Sequence, residues 1–273
     1  QSYLNSTWRR RRQDHVSGAQ RVRMSQGVTR LPADGDAVTL STGQTIDLPV
    51  SMDSTITAVV LPADRRAAAD LLPDGLSPIR ASRGTAAVWL LSATHRNVGG
   101  GVLDDYHEFA VMVSATPGAP DGVPYVSPAL RTETYVWSMP VTTDPARAFG
   151  EEIWGYPKVV ADIDVEEGPR RRRTTVTVDG DRLLTFAIPK PPTVSRRDTL
   201  TTYAVRDGRL LRVRTDVAGE LGVWPYTTGF SYSLGEHSRA ATLRDLDLGG
   251  RAFARFHTDA RLRFRAGQPI DGG

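Results

Sequence analysis

The sequence predicts an α+β fold that is mainly antiparallel β: a curved or closed β-barrel-like sheet with a few short packed helices. Three observations carry that expectation. Segments rich in β-branched and aromatic residues recur along the chain, among them STITAVVL at 54 to 61 and TAAVWLLSA at 85 to 93. Asp-Gly pairs at 179–180 and 207–208 interrupt two further segments of this kind, as in tight hairpins. Stretches with helical spacing are few and short, and neither a GxGxxG nor a GxxxxGK pattern occurs, which argues against a βαβ nucleotide-binding chain.

Taken in order, residues 1 to 35 are polar, arginine-rich and without periodicity, and are read as an N-terminal arm; residues 36 to 273 are read as a single domain. The strand at 54 to 61 leads into PADRRAAADLLPDG, where Pro62 suits a first helical turn and Pro73 with Gly75 ends the run. TAAVWLLSA and YHEFAVMVSA (106 to 115) read as strands. The loop between them, THRNVGGGVLDD, has three consecutive glycines that imply mobility or a close approach by another group. ETYVWSMPVTT (133 to 143) is a further strand, and DPARAFGEEIWG a short helical or irregular connection. Segments 159–167, 174–188 and 201–217 supply at least five more strands; SRAATLRDLDLGG (238 to 250) reads as a helix with a glycine stop, and 251 to 265 alternates as a final strand.

The chain of 273 residues and 29.8 kDa, 40% hydrophobic and 24% charged, is large enough for a sizeable core and has no apolar run of membrane-spanning length. No signal peptide is read at the N-terminus, so a cytoplasmic protein without a membrane partner is expected. The absence of cysteine excludes disulfides, thiolate metal sites and cysteine nucleophiles. A net charge of +3 and a pI near 9.4 reflect abundant arginine mixed with 31 acidic residues. The runs Arg9 to Arg12 and Arg170 to Arg173 read as a solvated arm and a hairpin flank, and no nucleic-acid partner is expected.

Of 34 basic residues only Lys158 and Lys190 are lysines, and Lys158 stands in the apolar stretch EEIWGYPKVV. Lysine differs from arginine in having a removable proton, so that burial can yield a neutral nucleophilic amine able to form a Schiff base. The plain alternative is a surface lysine whose stem covers Trp154 or Tyr156. Glu108, in DDYHEF and followed by FAVMVSA, reads as a partly buried acid suited to moving protons beside such an amine; alternatively it is an edge residue facing water, with His107 on a solvated face. The histidines at 15, 95, 107, 237 and 257 show no metal-ligand spacing, and no serine sits in a GxSxG elbow. His237 reads as a helix cap or packing residue, and Glu151 and Glu152 as structural.

GEEIWGYPK (150 to 158) resembles the signature of the acetoacetate decarboxylase superfamily, in which an acidic residue, an apolar and aromatic stretch and Tyr/Phe-Pro-Lys place a Schiff-base lysine. LLPDGL (71 to 76), Tyr106-His107-Glu108 and LGEHSRAATLRDLDL (234 to 248) resemble further family segments in the same order, so the likeness spans residues from about 45 to 265. It implies Lys158 as the imine-forming residue and Glu108 as its proton-moving partner. Tyr106, Tyr156 and Trp154 would surround the substrate, with no metal, no organic cofactor and a homo-oligomeric assembly.

Three departures from the family pattern stand out. Val159 replaces a second lysine, so Trp154, Tyr156 and Val159 are expected to dry the amine instead. Ser54, or its neighbours Met52 and Asp53, stands where an arginine would hold a substrate carboxylate, and Arg96 is the candidate substitute. A further glutamate is missing among Trp89, Leu90, Leu91 and Ser92. The expected function is a Schiff-base-forming lyase acting on a keto acid or other ketone, by aldol, dehydration, cyclisation or decarboxylation chemistry, in secondary metabolism. The alternatives are a non-covalent cyclase or isomerase using Glu108 as acid or base, and a non-catalytic ligand-binding protein on the same scaffold.

Overall fold

Three long strands, at 50–64, 85–96 and 106–117, are apolar on both faces along much of their length, and a strand of that kind must be covered on both. The computed structural model describes residues 30–118 and 133–270; the expected arm lies, up to residue 29, outside them. The first half runs β1 (Ala37–Thr39), β2 (Thr45–Asp47), β3 (Val50–Asp64), α1 (Arg65–Asp70), β4 (Leu76–Pro78), β5 (Thr85–Arg96), β6 (Tyr106–Pro117) and β7 (Glu133–Val141). There follow α2 (Asp144–Trp154), β8 (Lys158–Val160), β9 (Asp162–Glu167), β10 (Arg171–Val178), β11 (Asp181–Pro189), β12 (Val194–Arg206) and β13 (Arg209–Thr227). β14 (Ser231–Leu234), α3 (Ser238–Asp245), β15 (Ala252–Phe264) and β16 (Gln268–Pro269) complete the chain. Among the described residues no helix is long and apolar enough to cross a membrane.

Seven strands close into a barrel in the order β6-β5-β3-β15-β13-β12-β7, with β7 returning to β6. Pairing is antiparallel except where β7 meets β12 and β8 in parallel. β3 sends Met52, Ile56, Ala58 and Val60 into the barrel and Val59, Leu61 and Ala63 outward, and β5 and β6 divide their residues in the same way. The outward set packs beneath a second sheet, β14-β11-β10-β9, and against Ala240 and Leu243 of α3. One irregularity matters for the interior. Val111 pairs Ser138 while Met112 pairs Val136, so Trp137 is an extra residue, a bulge that turns it outward and lets both Val136 and Met139 face inward.

Both Asp-Gly pairs form the expected hairpin turns, with all four residues at positive φ. The first helix is shorter than expected. β3 continues through Pro62, which is tolerated because β15 pairs with β3 only as far as Val60, leaving the missing N–H undemanded. The helix then starts after Asp64, whose carboxylate accepts from the N–H groups of Arg66 and Ala67 at 2.9 and 2.8 Å. The helix expected over 238 to 250 ends at Asp245, and His237 caps it, Nδ1 accepting from Arg239 N at 3.2 Å. The glycine loop is anchored by Val98 and Leu103, both buried in the barrel's apolar cluster.

Arg172, read from the sequence as one of a run flanking a hairpin, is buried between the two sheets. Its guanidinium donates to Ser92 at 3.0 Å, Glu167 at 2.8 Å and Thr94 at 2.6 Å, tying β10 to β5. Replacing it leaves those acceptors short of a donor. Arg172→Met is therefore expected to lower stability in urea unfolding by about 2 kcal/mol. The same change at exposed Arg173 should stay within about 0.5 kcal/mol.

Candidate active site

Positions 143 to 158 build the site. Thr143 caps α2, its Oγ1 accepting from Ala146 N at 3.2 Å, and Pro145 occupies the first turn. The apolar side of the helix, with Phe149, Ile153 and Trp154, packs on the barrel's interior cluster. Glu152 holds Ser41 near β1, and Glu151 pairs with Arg147, so both acids are structural. Gly155 ends the helix at φ 75°, where an added Cβ would lie 2.4 Å from Val205 O. The chain then doubles back through Tyr156 and Pro157, and Lys158 enters β8 beside Met139.

The bulge in β7 now has a consequence for charge. Met139 pairs with Lys158 on one side of β7, and Val141 pairs with Glu108 on the other. Directly paired residues share a face, so both charged side chains point into the barrel. Lys158 Nζ lies 2.9 Å from Glu108 Oε2, each residue being 7% exposed. The lysine stem lies along α2 at Gly150, where a Cβ would stand 2.3 Å from Lys158 Cε. Only glycine leaves that room.

These groups face a cavity of about 120 Å³ lined mostly by apolar side chains, among them Ile56, Trp89, Met112, Leu200 and Phe264. Tyr106 and Phe149 place their rings 5.2 and 5.8 Å from Lys158 Nζ. Val159 packs on the outer cluster instead, so the drying of the amine comes from Tyr106 and Phe149 and not from that valine. Burial alone would push the Glu108 carboxyl up, but the Lys158 ammonium and, next to it, His95 overcome this and hold it down at about 2. Burial raises the Tyr106 and Tyr156 phenols above their ordinary range, so both are neutral.

Of the residues expected around the substrate, Tyr106, Trp154 and Tyr156 line the cavity with Lys158 and Glu108. Trp154 Nε1 donates to Arg265 O at 2.8 Å, and the Tyr156 hydroxyl meets Thr202 Oγ1 at 2.6 Å. Arg96 is not brought to them. It lies on the outer face of β5, donating to Thr55 Oγ1 at 2.6 Å, because alternate strand residues point to opposite faces.

His95, which spacing had set aside as a metal ligand, sits in the site. Its Nε2 is 3.5 Å from Glu108 Oε1, and its Nδ1 is 2.8 Å from the Oγ of Ser54, the residue standing where the resemblance calls for an arginine. The parity of β5 carried the signal: residue 95 has the phase of Trp89, Leu91 and Ala93. Ending that strand at residue 93 concealed it.

Comparisons with known proteins bear on the family and the fold. A family model described as acetoacetate decarboxylase matches residues 38–271. No curated protein matches in sequence. Among solved structures, the enduracididine biosynthesis enzyme MppR complexed with pyruvate superposes with a TM-score of 0.60 at 14% identity, covering 82% of this chain and 91% of that one. An acetoacetate decarboxylase from Legionella pneumophila subsp. pneumophila str. Philadelphia 1 gives 0.59 at 14% identity over 95% and 98% of the two chains. A further acetoacetate decarboxylase structure gives 0.56 at 19% identity over 81% and 89%. At such identities the likeness concerns the fold. The family model, however, spans the barrel, the outer sheet and the lysine segment together, and the chain belongs to the acetoacetate decarboxylase family.

Proposed function

We propose that this protein is a lyase that joins Lys158 to the carbonyl carbon of a small ketone or keto acid as a Schiff base. The observation that carries the reading is the buried Lys158–Glu108 contact at 2.9 Å inside an apolar cavity. The neighbouring fold of MppR supports it, since that protein has been seen with the condensation product of pyruvate and imidazole 4-carboxaldehyde.

Transfer of a proton from Nζ to Glu108 yields the free amine. The amine attacks the carbonyl carbon, Glu108 returns the proton to the oxygen, and a second proton leaving nitrogen by way of Glu108 releases that oxygen as water. The ammonium has become an iminium, and the net charge of the site is unchanged. Glu108 is a carboxylate beside a cation before and after, so an apolar cavity does not oppose the conversion. The iminium then draws electrons from a bond next to the former carbonyl carbon, and water reverses the linkage to free the product.

Intact-protein mass after incubation with a ketone and sodium borohydride tests this directly. A ligand-sized adduct is expected, and Lys158→Ala should lack it; no adduct with a range of ketones and keto acids would leave the non-covalent or binding alternatives. Gly150→Ala should retain its circular dichroism while losing at least about tenfold in trapping rate, because the new methyl displaces the amine from its attack position.

Glu108 also makes stability depend on pH. Its folded value, about 2, lies below the 4.5 of a free glutamate, so its contribution is full above pH 4.5 and is lost as pH falls toward 2. Glu108→Gln should therefore be less stable than the parent by about 3 kcal/mol at neutral pH. In urea unfolding that gap should narrow progressively below pH 4.5.

A further inference from the structure

We infer that the carbonyl compound taken by this site is uncharged, with a short apolar substituent, and is not a keto acid; the inference rests on the imine-forming reading of Lys158. It comes from an inventory of charge around the cavity. Among the described residues lining it, the ionisable groups are Lys158, Glu108, His95 and the two neutral phenols of Tyr106 and Tyr156. The first three are committed to one another. Lys158 is paired with Glu108 at 2.9 Å, and both His95 nitrogens are engaged, Nδ1 by Ser54 at 2.8 Å and Nε2 by Glu108 at 3.5 Å.

A substrate carboxylate would thus enter as a second anion beside Glu108, with no cation that Glu108 does not already hold. Imine formation supplies none, since the iminium replaces the ammonium it came from and remains opposite Glu108. An unpaired carboxylate in an apolar enclosure is strongly disfavoured. Nearby arginines do not correct this. Arg96 points out of the barrel, and the Arg265 guanidinium is held outside by Asp216 at 2.7 Å and Asp34 at 3.6 Å. Apart from these groups and Thr134, Thr202 and Thr215, none of which carries charge, the wall offers apolar surface, from Ile56, Trp89, Met112, Leu200 and Phe264. The volume of about 120 Å³ suits a compound a little smaller than one filling a benzene-sized apolar cavity.

An uncharged ketone has no carboxylate to lose, so the iminium serves aldol-type chemistry. Glu108 takes a proton from the carbon next to the iminium carbon, and the electrons of that C–H bond form the C=C bond of an enamine as C=N⁺ becomes C–N. The enamine carbon adds to a second carbonyl compound, an aldehyde, whose oxygen takes the proton back from Glu108. Water then hydrolyses the iminium, restoring the ketone oxygen and Lys158. The reverse sequence cleaves a β-hydroxy ketone.

The test uses the full chain and two probes of equal length, methyl propyl ketone and α-ketovalerate. Each is trapped with sodium cyanoborohydride and read by intact mass, with trapping of free acetyl-lysine correcting for intrinsic reactivity. The expected result is a half-saturating concentration at least about tenfold lower for the ketone, with no adduct in Lys158→Ala. If α-ketovalerate is trapped as well or better, the substrate class is overturned and the imine reading stands. If neither is trapped, the imine reading fails, and the reduced analogues, which form no imine, decide the class by thermal shift. The uncharged alcohol methyl propyl carbinol raising Tm more than α-hydroxyvalerate keeps an uncharged ligand; no difference, or the reverse order, overturns it.

Discussion

An ammonium and a carboxylate held together in an apolar interior are the constraint around which the rest of this structure is arranged. Either ion alone in that cavity would carry a penalty of several kcal/mol, and contact at 2.9 Å offsets it. The two residues are 50 positions apart in the chain, on β6 and β8, and they meet because β7 runs between those strands. The bulge at Trp137 then decides the face. Without the extra residue, Met139 and Val141 would turn outward, and the strands paired with them could present Lys158 and Glu108 to the interior only in another register. A single irregularity in one strand therefore determines where two charges lie.

The same strands serve a second core. Val59, Leu90, Phe109 and Val111 face away from the cavity and are covered by the outer sheet, which brings Arg172 with it. That arginine donates to Ser92 and Thr94, polar residues on the back of β5 whose hydroxyls also meet Thr174 Oγ1 at 2.6 Å and His107 Nδ1 at 2.9 Å. His95 and Arg96, on the next turn of the same alternation, point one to the cavity and one to the outer groove. The barrel wall is thus one residue thick and chemically different on its two sides.

Family membership and cavity chemistry are separate matters here. Structures at 14 to 19% identity share the barrel, because closure depends on alternation and pairing, which many sequences satisfy. The cavity depends on a handful of inward positions, and at two of them this chain has Ser54 and His95, hydrogen-bonded to each other and turned toward Glu108. The charges on the wall form a closed set.

Much was legible in the sequence. The scarcity of lysine singled out Lys158, the apolar run after it singled out Glu108, and the Asp-Gly pairs located two hairpins, each because local chemistry leaves few alternatives. Gly150 and Gly155 stood in the quoted motif, but their reasons are spatial: Gly150 makes room for the stem of Lys158 at the far end of the same motif, and Gly155 for the Val205 carbonyl of β12, outside it. Strand ends were less legible: β3 running through Pro62 and β5 running on to Arg96 depend on which neighbours remain to be paired. Arg96 and His95 could not be sorted between cavity and exterior until the end of β5 was known, since a shift of one residue exchanges the faces. The sequence by itself determined which residues have the chemistry, through side-chain type and local pattern. Only the tertiary structure decided which of them face one another, because register, closure of the barrel and the bulge in β7 arise from pairings between distant strands.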